Sequence, residues 1–492
     1  MIGLPRPFHD EYPAAYAYRI GQWYLSWNKQ DKSLGQFFTP LTIARFMAQL
    51  VPRQHKLTRV LDPGAGLGIL SCALCETLDS DIELEAYEVD LELVDCLNAC
   101  LLYTQIWMEA RGRYLKYKIV CDDFVLKQAD TLYWSTNNPF DIVISNPPYF
   151  KLSKSDPKAK VANIVVHGQP NIYALFLAVS AALVRPGGYA VFITPRSFAA
   201  GQYFSRFREY FFNRMKPRAI HIFESRRDVF EDVLQESLIM LAEHSVQPAD
   251  VVLSSNVGSV DFNRITRRNI PIDDIITKDN ILHLPLSEND DAIAELVRSW
   301  TGNLQSYGMQ ISTGPVVPFR AEKLVHSIGS VPSTHAPLLW IQNVKSMCWE
   351  WPQPRKGQYL LLNGADKLLL PNRNYVLLRR FSAKEERKRL TAAPYLASIY
   401  TDVIGVENHL NYIYRPNGCL SEDEARGLAA LFNSNFMNSY FRIFSGNTQV
   451  NATELRKLPL PNLDVINELG RLASKLNADV DTIAAEVLRL YA

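Results

Sequence analysis

No apolar run in this 492-residue chain reaches the ~20 residues that a membrane-spanning helix needs. The longest is Ile172 to Val184. The opening residues, Met-Ile-Gly-Leu-Pro-Arg-Pro, lack the apolar core of a signal peptide. Membrane and secreted classes are set aside, and a cytoplasmic chain is expected. Charge of one sign is also lacking: 52 Lys+Arg stand against 51 Asp+Glu, a net of +1. No overall field points to a polyanionic partner, so a nucleic-acid surface has to be a local patch. Cysteine is scarce, seven in all, and an odd number does not read as a disulfide framework. Cys72/Cys75 and Cys96/Cys100 have spacings that a tetrahedral zinc site could use. Both pairs fall in apolar runs of helical period, so core packing is the expected role and no metal is called for. No Ser/His/Asp arrangement and no PD…ExK nuclease constellation stands out.

What is present is an ordinary globular balance, 47% hydrophobic and 21% charged. At ~100–200 residues per domain the length suggests two to four domains. Residues 1–34, rich in Tyr and Trp, read as a helical lead-in. From Arg59 strands and helices alternate. Val60-Leu61 leads into Asp62-Pro63-Gly64-Ala65-Gly66-Leu67-Gly68 and an apolar helix. A strand from Ile82 ends in Glu88, and one from Tyr117 ends in Asp122-Asp123-Phe124. Another, from Asp141, stops at Asn146, and Tyr189–Thr194 follows a Pro-Gly-Gly turn. This rhythm predicts a parallel, doubly wound sheet over 35–250, with every polar cluster at a strand's carboxyl end, where such sheets bind ligands. Residues 251–300 lose the rhythm and read as a linker region. Residues 301–492 carry 21 Lys+Arg against 16 Asp+Glu, with ten basic and three acidic residues in 351–390 alone.

Three glycines after the first strand let a backbone approach a ligand at a helix N-terminus. Their spacing is GxGxG, not the GxGxxG of a dinucleotide fingerprint. Glu88, 20 residues past Gly68, is placed to accept both hydroxyls of a ribose. Asn146-Pro147-Pro148-Tyr149 is the sharpest signal. The amide oxygen of Asn146 and a proline carbonyl can accept two hydrogens from one planar exocyclic amine, and Tyr149 can stack on the ring that carries it. A rigid turn with a packed Tyr would also suit Asn-Pro-Pro.

Gly35-Gln36-Phe37-Phe38-Thr39-Pro40, the Gly-rich turn, Glu88, Asp123-Phe124 and Asn146–Tyr149 together resemble, in type and order, the gamma class of N6-adenine DNA methyltransferases of type II restriction–modification systems. The likeness is motif by motif over roughly 30–245. It is looser at Ile311–Val317, Asn408-His409 and Ser445–Asn451. The resemblance implies an α/β chain: a doubly wound, Rossmann-like S-adenosylmethionine-dependent methyltransferase domain over 35–250, then a mixed α/β target-recognition domain over 301–492. It also implies site roles. Thr39 would hold the cofactor's methionine carboxylate, and Asp62 its amino group. Gly64 and Gly66 would border the cofactor, Glu88 would bind its ribose, Asp123 its adenine amine and Phe124 its adenine face. Asn146 and the Pro147 carbonyl would bind the target amine, in the turn that Pro148 completes, with Tyr149 stacked on the flipped base and Phe230 covering it. Double-stranded DNA and a cognate restriction endonuclease are the implied partners, and a monomer or homodimer is expected. Ala65 and the leading Asp62 are common variants of the Gly-rich motif.

Several choices stay open at this level. The amine could instead be cytosine N4, guanine N2 in RNA, or a protein glutamine amide, or the chain could be a non-catalytic DNA-binding subunit. Lys151–Gln169, with four lysines, could close on phosphates or be a solvated loop. The basic stretch from Arg355 through Arg379, Arg380 and Arg389 could neutralise phosphates; its run Lys384–Arg389 could equally be a solvated helix face.

Overall fold

Helix and strand alternate after two leading helices, α1 (Pro13–Trp27) and α2 (Leu41–Leu50). The series runs β1 (Thr58–Pro63), α3 (Ile69–Thr77), β2 (Ile82–Tyr87), α4 (Leu91–Glu109), β3 (Leu115–Val120), α5 (Phe124–Gln128) and β4 (Phe140–Ser145). Then come α6 (Pro157–Val161), α7 (Ile172–Leu183), β5 (Val184–Pro195), α8 (Ser205–Arg214), β6 (Met215–Phe223) and β7 (Ser237–His244). β8 (Val251–Asn256), β9 (Thr266–Ile270) and α9 (Ile272–Ile275) close the unit. This computed structural model describes residues 4–27, 38–54, 57–223, 236–256, 262, 264–327, 334–382, 388–397, 401–446, 449–475 and 479–490. Two compact units divide the chain, Met1–Leu286 and Ser287–Ala492. Among the described residues no helix is long and apolar enough to cross a membrane.

The first unit is a nine-stranded sheet in the order β3-β2-β1-β4-β5-β7-β6-β8-β9. From β3 to β5 all neighbours are parallel. Side chains alternate between two cores. Val60, Ile142, Ile144, Val191 and Ile193 meet α1–α4 on one face. Leu61, Val143, Ala190 and Phe192 meet α7 and α8 on the other. α7 has eleven buried residues of twelve, as befits a helix without a polar stripe, and Asn171 caps it by accepting from the Tyr173 N–H. Cys72, Cys75, Cys96 and Cys100 are all buried in the α1–α4 core. Burial pushes the Cys72 thiol up to about 12 and the Cys96 thiol up to about 11. α1 packs in the same core through Ala14, Ala17 and Ile20, so the lead-in is an integral layer of this unit.

Two expectations are corrected. The sheet is not parallel throughout, because β7 runs antiparallel between β5 and β6. Antiparallel neighbours need no crossover helix, so strand–helix alternation could not announce them. Nor is 251–300 a linker: β8 pairs parallel with β6, β9 antiparallel with β8, and the break between units falls at Leu286/Ser287. Ser287 opens α10 (Glu288–Ser299) with a capping box to Asp290.

β8 escaped notice because it buries polar residues. Ser254, Ser255 and Asn256 are all shielded from solvent. Ser254 and Asn256 serve His221, whose Nδ1 lies 2.9 Å from Ser254 Oγ and whose Nε2 lies 3.1 Å from Asn256 Oδ1. Burial pulls this imidazole down to about 4, partly opposed by the Asn256 hydrogen bond. Below pH ~6.5 only the unfolded chain takes the proton, so stability is lost as pH falls from there toward 4. About 2–3 kcal/mol should go by pH 4.5. Denaturant unfolding of wild type and His221→Gln should therefore show the wild-type advantage at pH 7 shrinking at pH 4.5. An advantage that does not change with pH would place the ring in water.

The second unit continues with β10 (Gln310–Thr313), β11 (Val325–His326), β12 (His335–Leu339), β13 (Val344–Lys345), β14 (Cys348–Trp349) and β15 (Tyr359–Leu361). β16 (Leu369–Pro371), β17 (Asn374–Arg379), β18 (Ala392–Leu396), β19 (Val403–Val406) and β20 (Leu410–Tyr414) follow. α11 (Glu422–Asn433), α12 (Asn435–Phe444), α13 (Ala452–Arg456), α14 (Leu463–Ala473) and α15 (Val480–Leu490) end it. Its sheets are β10-β20-β17-β18, antiparallel, β11-β15-β12-β19-β16, mixed, and the hairpin β13-β14.

Candidate active site

Strand order reverses between β1 and β4, and open α/β sheets bind ligands in the crevice at that point, beyond the strands' carboxyl ends. Ser145 Oγ, at the end of β4, donates to the Pro63 carbonyl at 2.6 Å and laces the two ends together. The Gly-rich turn leaves one and Asn146–Tyr149 the other.

Gly64, Gly66 and Gly68 all have positive φ, at 73°, 57° and 77°. A Cβ on Gly68 would lie 2.7 Å from Leu97 Cδ1, so that glycine serves packing. A Cβ on Gly66 would meet nothing within 4 Å; there the backbone conformation is what needs glycine. The Gly66 N–H donates to Glu88 Oε2 at 2.8 Å, and the Asp90 N–H donates to Glu88 Oε1 at 2.9 Å. Burial nonetheless raises the Glu88 carboxyl above the ordinary range. Each of its oxygens keeps acceptor capacity for a hydroxyl.

Asp62 lies under the turn, 1% exposed. Ser71 Oγ donates to its Oδ2 at 2.6 Å, while its Oδ1 is shielded and has no hydrogen-bond partner among the described residues. Burial pushes this carboxyl up to about 7, opposed by the Ser71 bonds and aided by the charge of Glu88. A buried carboxylate short of one partner suits an ammonium group.

Asp123 caps α5 by accepting from the Leu126 N–H at 2.9 Å, and its other oxygen lies 3.3 Å from Lys158 Nζ. Phe124 is buried between Tyr87 and Phe176, each ring centroid 5.2 Å away. Gly64, Gly66, Glu88, Asp123, Phe124, Asn146 and Pro148 line a cavity of about 210 Å³, together with Phe38, Lys158, Ile172 and Phe176. The cavity is apolar inside with carboxylates at its edge, the make-up of a nucleoside pocket. Sequence reasoning missed Phe176, which sits unmarked within the apolar run of α7. It also left Lys158 in an undecided loop; that segment is packed, with Leu152, Ala159, Ala162 and Val165 buried.

Asn146 Nδ2 donates to Thr39 Oγ1 at 3.1 Å, and the Tyr149 hydroxyl lies 2.5 Å from Asn146 Oδ1 and 2.9 Å from the Ile193 carbonyl. The buried Thr39 is thus brought to Asn146, and the amide is held from both sides. Burial, with Tyr173 alongside, keeps the Tyr149 phenol well above its usual range. Pro147 is buried. Phe230 lies outside the described residues, as do Gly35, Gln36, Phe37, Lys384 and Arg387.

Within the basic stretch, four described cations are turned into the protein. Arg389 is 2% exposed. Arg379 Nε donates to the Val344 carbonyl and Arg380 Nη1 to the Asn408 carbonyl, both at 2.6 Å. Lys388 Nζ donates to the Asn433 carbonyl at 2.7 Å. Arg379, Arg380 and Lys388 are thus engaged by backbone carbonyls within their own unit.

Residues 81–230 match the protein family described as "Eco57I restriction-modification methylase". Over 466 residues the chain is 33% identical to the type II methyltransferase M.BsuBI of Bacillus subtilis, covering 90% of each chain. Over 456 residues it is 31% identical to the type II methyltransferase M.PstI of Providencia stuartii, covering 89% of each. Among solved structures, the type IIL restriction–modification enzyme MmeI in complex with DNA has a TM-score of 0.57 at 10% identity, over 96% of this chain and 72% of that one.

Proposed function

The chain belongs to the type II restriction–modification methyltransferases, and on that premise we propose that it methylates N6 of an adenine within a specific double-stranded DNA sequence, so protecting host DNA from a cognate endonuclease. The observation that carries the reading is Asn146 with Pro147, held at the end of β4 beside the cavity edged by Glu88 and Asp123.

S-adenosylmethionine, the cofactor this family uses, would supply an electrophilic methyl group there. The residues present fit it. Asp62 would offer Oδ1, which no described residue bonds, to the amino group, and Glu88 would accept the ribose hydroxyls. Phe124 and Phe176, packed against each other on the cavity wall, would give the adenine an apolar face, and Asp123 would meet its amine. An adenine amine is a poor nucleophile because its lone pair is delocalised into the ring. Asn146 Oδ1 and the Pro147 carbonyl, accepting its two hydrogens, favour a pyramidal nitrogen and turn the lone pair toward the methyl group. This is positioning and transition-state electrostatics supplied by rigid acceptors. Extruding the base costs ~a few kcal/mol, and stacking on Tyr149 recovers part of it. Methylating plasmid DNA with radiolabelled cofactor and identifying the nucleoside by mass spectrometry tests the reading: N6-methyladenine supports it, and N4-methylcytosine or an unlabelled plasmid overturns it.

Tyr149 carries a separate expectation. Its hydroxyl orients the Asn146 amide, so Tyr149→Phe should slow single-turnover methylation several-fold, in line with a hydrogen bond worth ~1 kcal/mol. Tyr149→Ala should lose in addition a base stack of ~1–3 kcal/mol. Equal 2-aminopurine fluorescence from the Phe and Ala variants bound to DNA would remove the stacking role.

A further inference from the structure

The three C-terminal segments that looked family-like converge on one place in the second unit. The Asn408 N–H donates to the Val316 carbonyl at 2.8 Å, and Gly314 passes so close that a Cβ would lie 2.2 Å from the Glu407 carbonyl oxygen. The Val450 N–H donates to the Arg380 carbonyl, whose own N–H donates to His409. Asn411, on β20, accepts from Thr313 and donates to Val450. At the centre of this clamp sits Glu407, with a side chain 0% exposed, in contact through Oε1 with His409 Nδ1. The His409 side chain is 47% exposed.

We infer that His409, held in one orientation by the buried Glu407, makes a base-edge contact that helps select the DNA sequence to be methylated. The inference rests on the DNA-methylating reading above. Burying a carboxylate costs several kcal/mol, and an apolar residue of similar size would serve stability as well or better. What the carboxylate adds is direction. With Nδ1 set against Glu407, Nε2 is the ring nitrogen left to face away from it. Phe381, edge-on to the ring at 5.1 Å, restricts it further. A phosphate contact needs only a charge on a flexible stem, whereas reading a base edge needs a donor or acceptor fixed in angle. Among the described residues no third His, Cys, Asp or Glu joins the pair, so a metal centre is not the better explanation. Exposed Phe319, three residues past Val316, adds an aromatic ring to the same segment.

The test uses the full chain. Wild type, His409→Ala, Glu407→Gln and the double variant are compared for methylation of a duplex carrying the mapped site, and of duplexes carrying each single-base change. Melting temperature and calorimetric cofactor affinity are measured alongside. His409→Ala should keep its melting temperature and cofactor affinity yet lose about tenfold or more in kcat/KM on the cognate site, with less discrimination at one base pair. Glu407→Gln, as a positioning change, should lower discrimination at that same base pair and add nothing in the His409→Ala background. A His409→Ala enzyme with wild-type kcat/KM and motif overturns the inference alone, as does a uniform loss across all sequences, which would mark a phosphate contact. A wild-type chain that methylates no DNA overturns the proposed function and this inference with it.

Discussion

Asn146→Ala is expected to slow methyl transfer by about 10²–10³-fold while cofactor affinity stays close to wild type. The loss is large because, on the proposed reading, the amide oxygen acts on the reacting nitrogen itself. A group that is needed only as charge develops lowers the barrier, and each ~1.4 kcal/mol is a factor of ten. The fold should tolerate the change. Tyr149 keeps the Ile193 carbonyl as an acceptor at 2.9 Å, and Thr39 loses only one donor. Cofactor affinity should hold because Glu88, Asp62 and Phe124 are anchored without Asn146, through Gly66, Ser71 and Tyr87 respectively. Single-turnover methylation together with calorimetry separates the two effects. A variant that methylates at near wild-type rate would show that the target amine is held elsewhere.

Asp62→Asn should make the ligand-free protein more stable at pH 8 and bind S-adenosylmethionine at least thirtyfold more weakly. The wild-type carboxyl titrates near 7 when folded, against 3.8 as the ordinary value. A raised folded pKa gives stability that is complete below pH 3.8 and is lost as pH rises through 7, so above 7 the cost of the buried charge is about 4 kcal/mol. An amide in its place escapes that cost. Removing one partner of a buried charge pair forfeits about 2–5 kcal/mol of binding, which sets the lower bound of thirtyfold. Because binding an ammonium group requires the ionised form, wild-type affinity should also fall about tenfold per unit as pH drops below 7. The variant should lack that slope. Melting curves and calorimetry at pH 6 and 8 check all three results; an Asp62→Asn protein with unchanged affinity would remove Asp62 from the cofactor site.

Much of the catalytic unit was legible before any coordinates. Strand–turn–helix alternation from Arg59 onward, with Glu88, Asp123 and Asn146 each at a strand end, is a local and one-dimensional signal. A parallel sheet converts that signal directly into one crevice, since every strand delivers its last residue to the same edge. The apolar runs around Cys72 and Cys96 likewise announced packing without help from tertiary structure.

Other features depended on which groups meet across long separations in sequence. Ser254 and Asn256 read as loop residues until His221, on β6, supplies their partner. Arg379, Arg380 and Arg389 counted toward a basic field, yet their destination is set by the carbonyls of Val344 and Asn408 and by the burial of Arg389. Composition records a charge but not what it faces. That Asn146 is gripped by Thr39 and Tyr149 was equally invisible, because Thr39 lies 107 residues earlier. Periodicity and turn chemistry thus fixed the parallel half of the sheet and the order of its motifs. Which polar groups are satisfied within the fold, and which remain to meet a ligand, was settled by contacts between residues far apart in sequence.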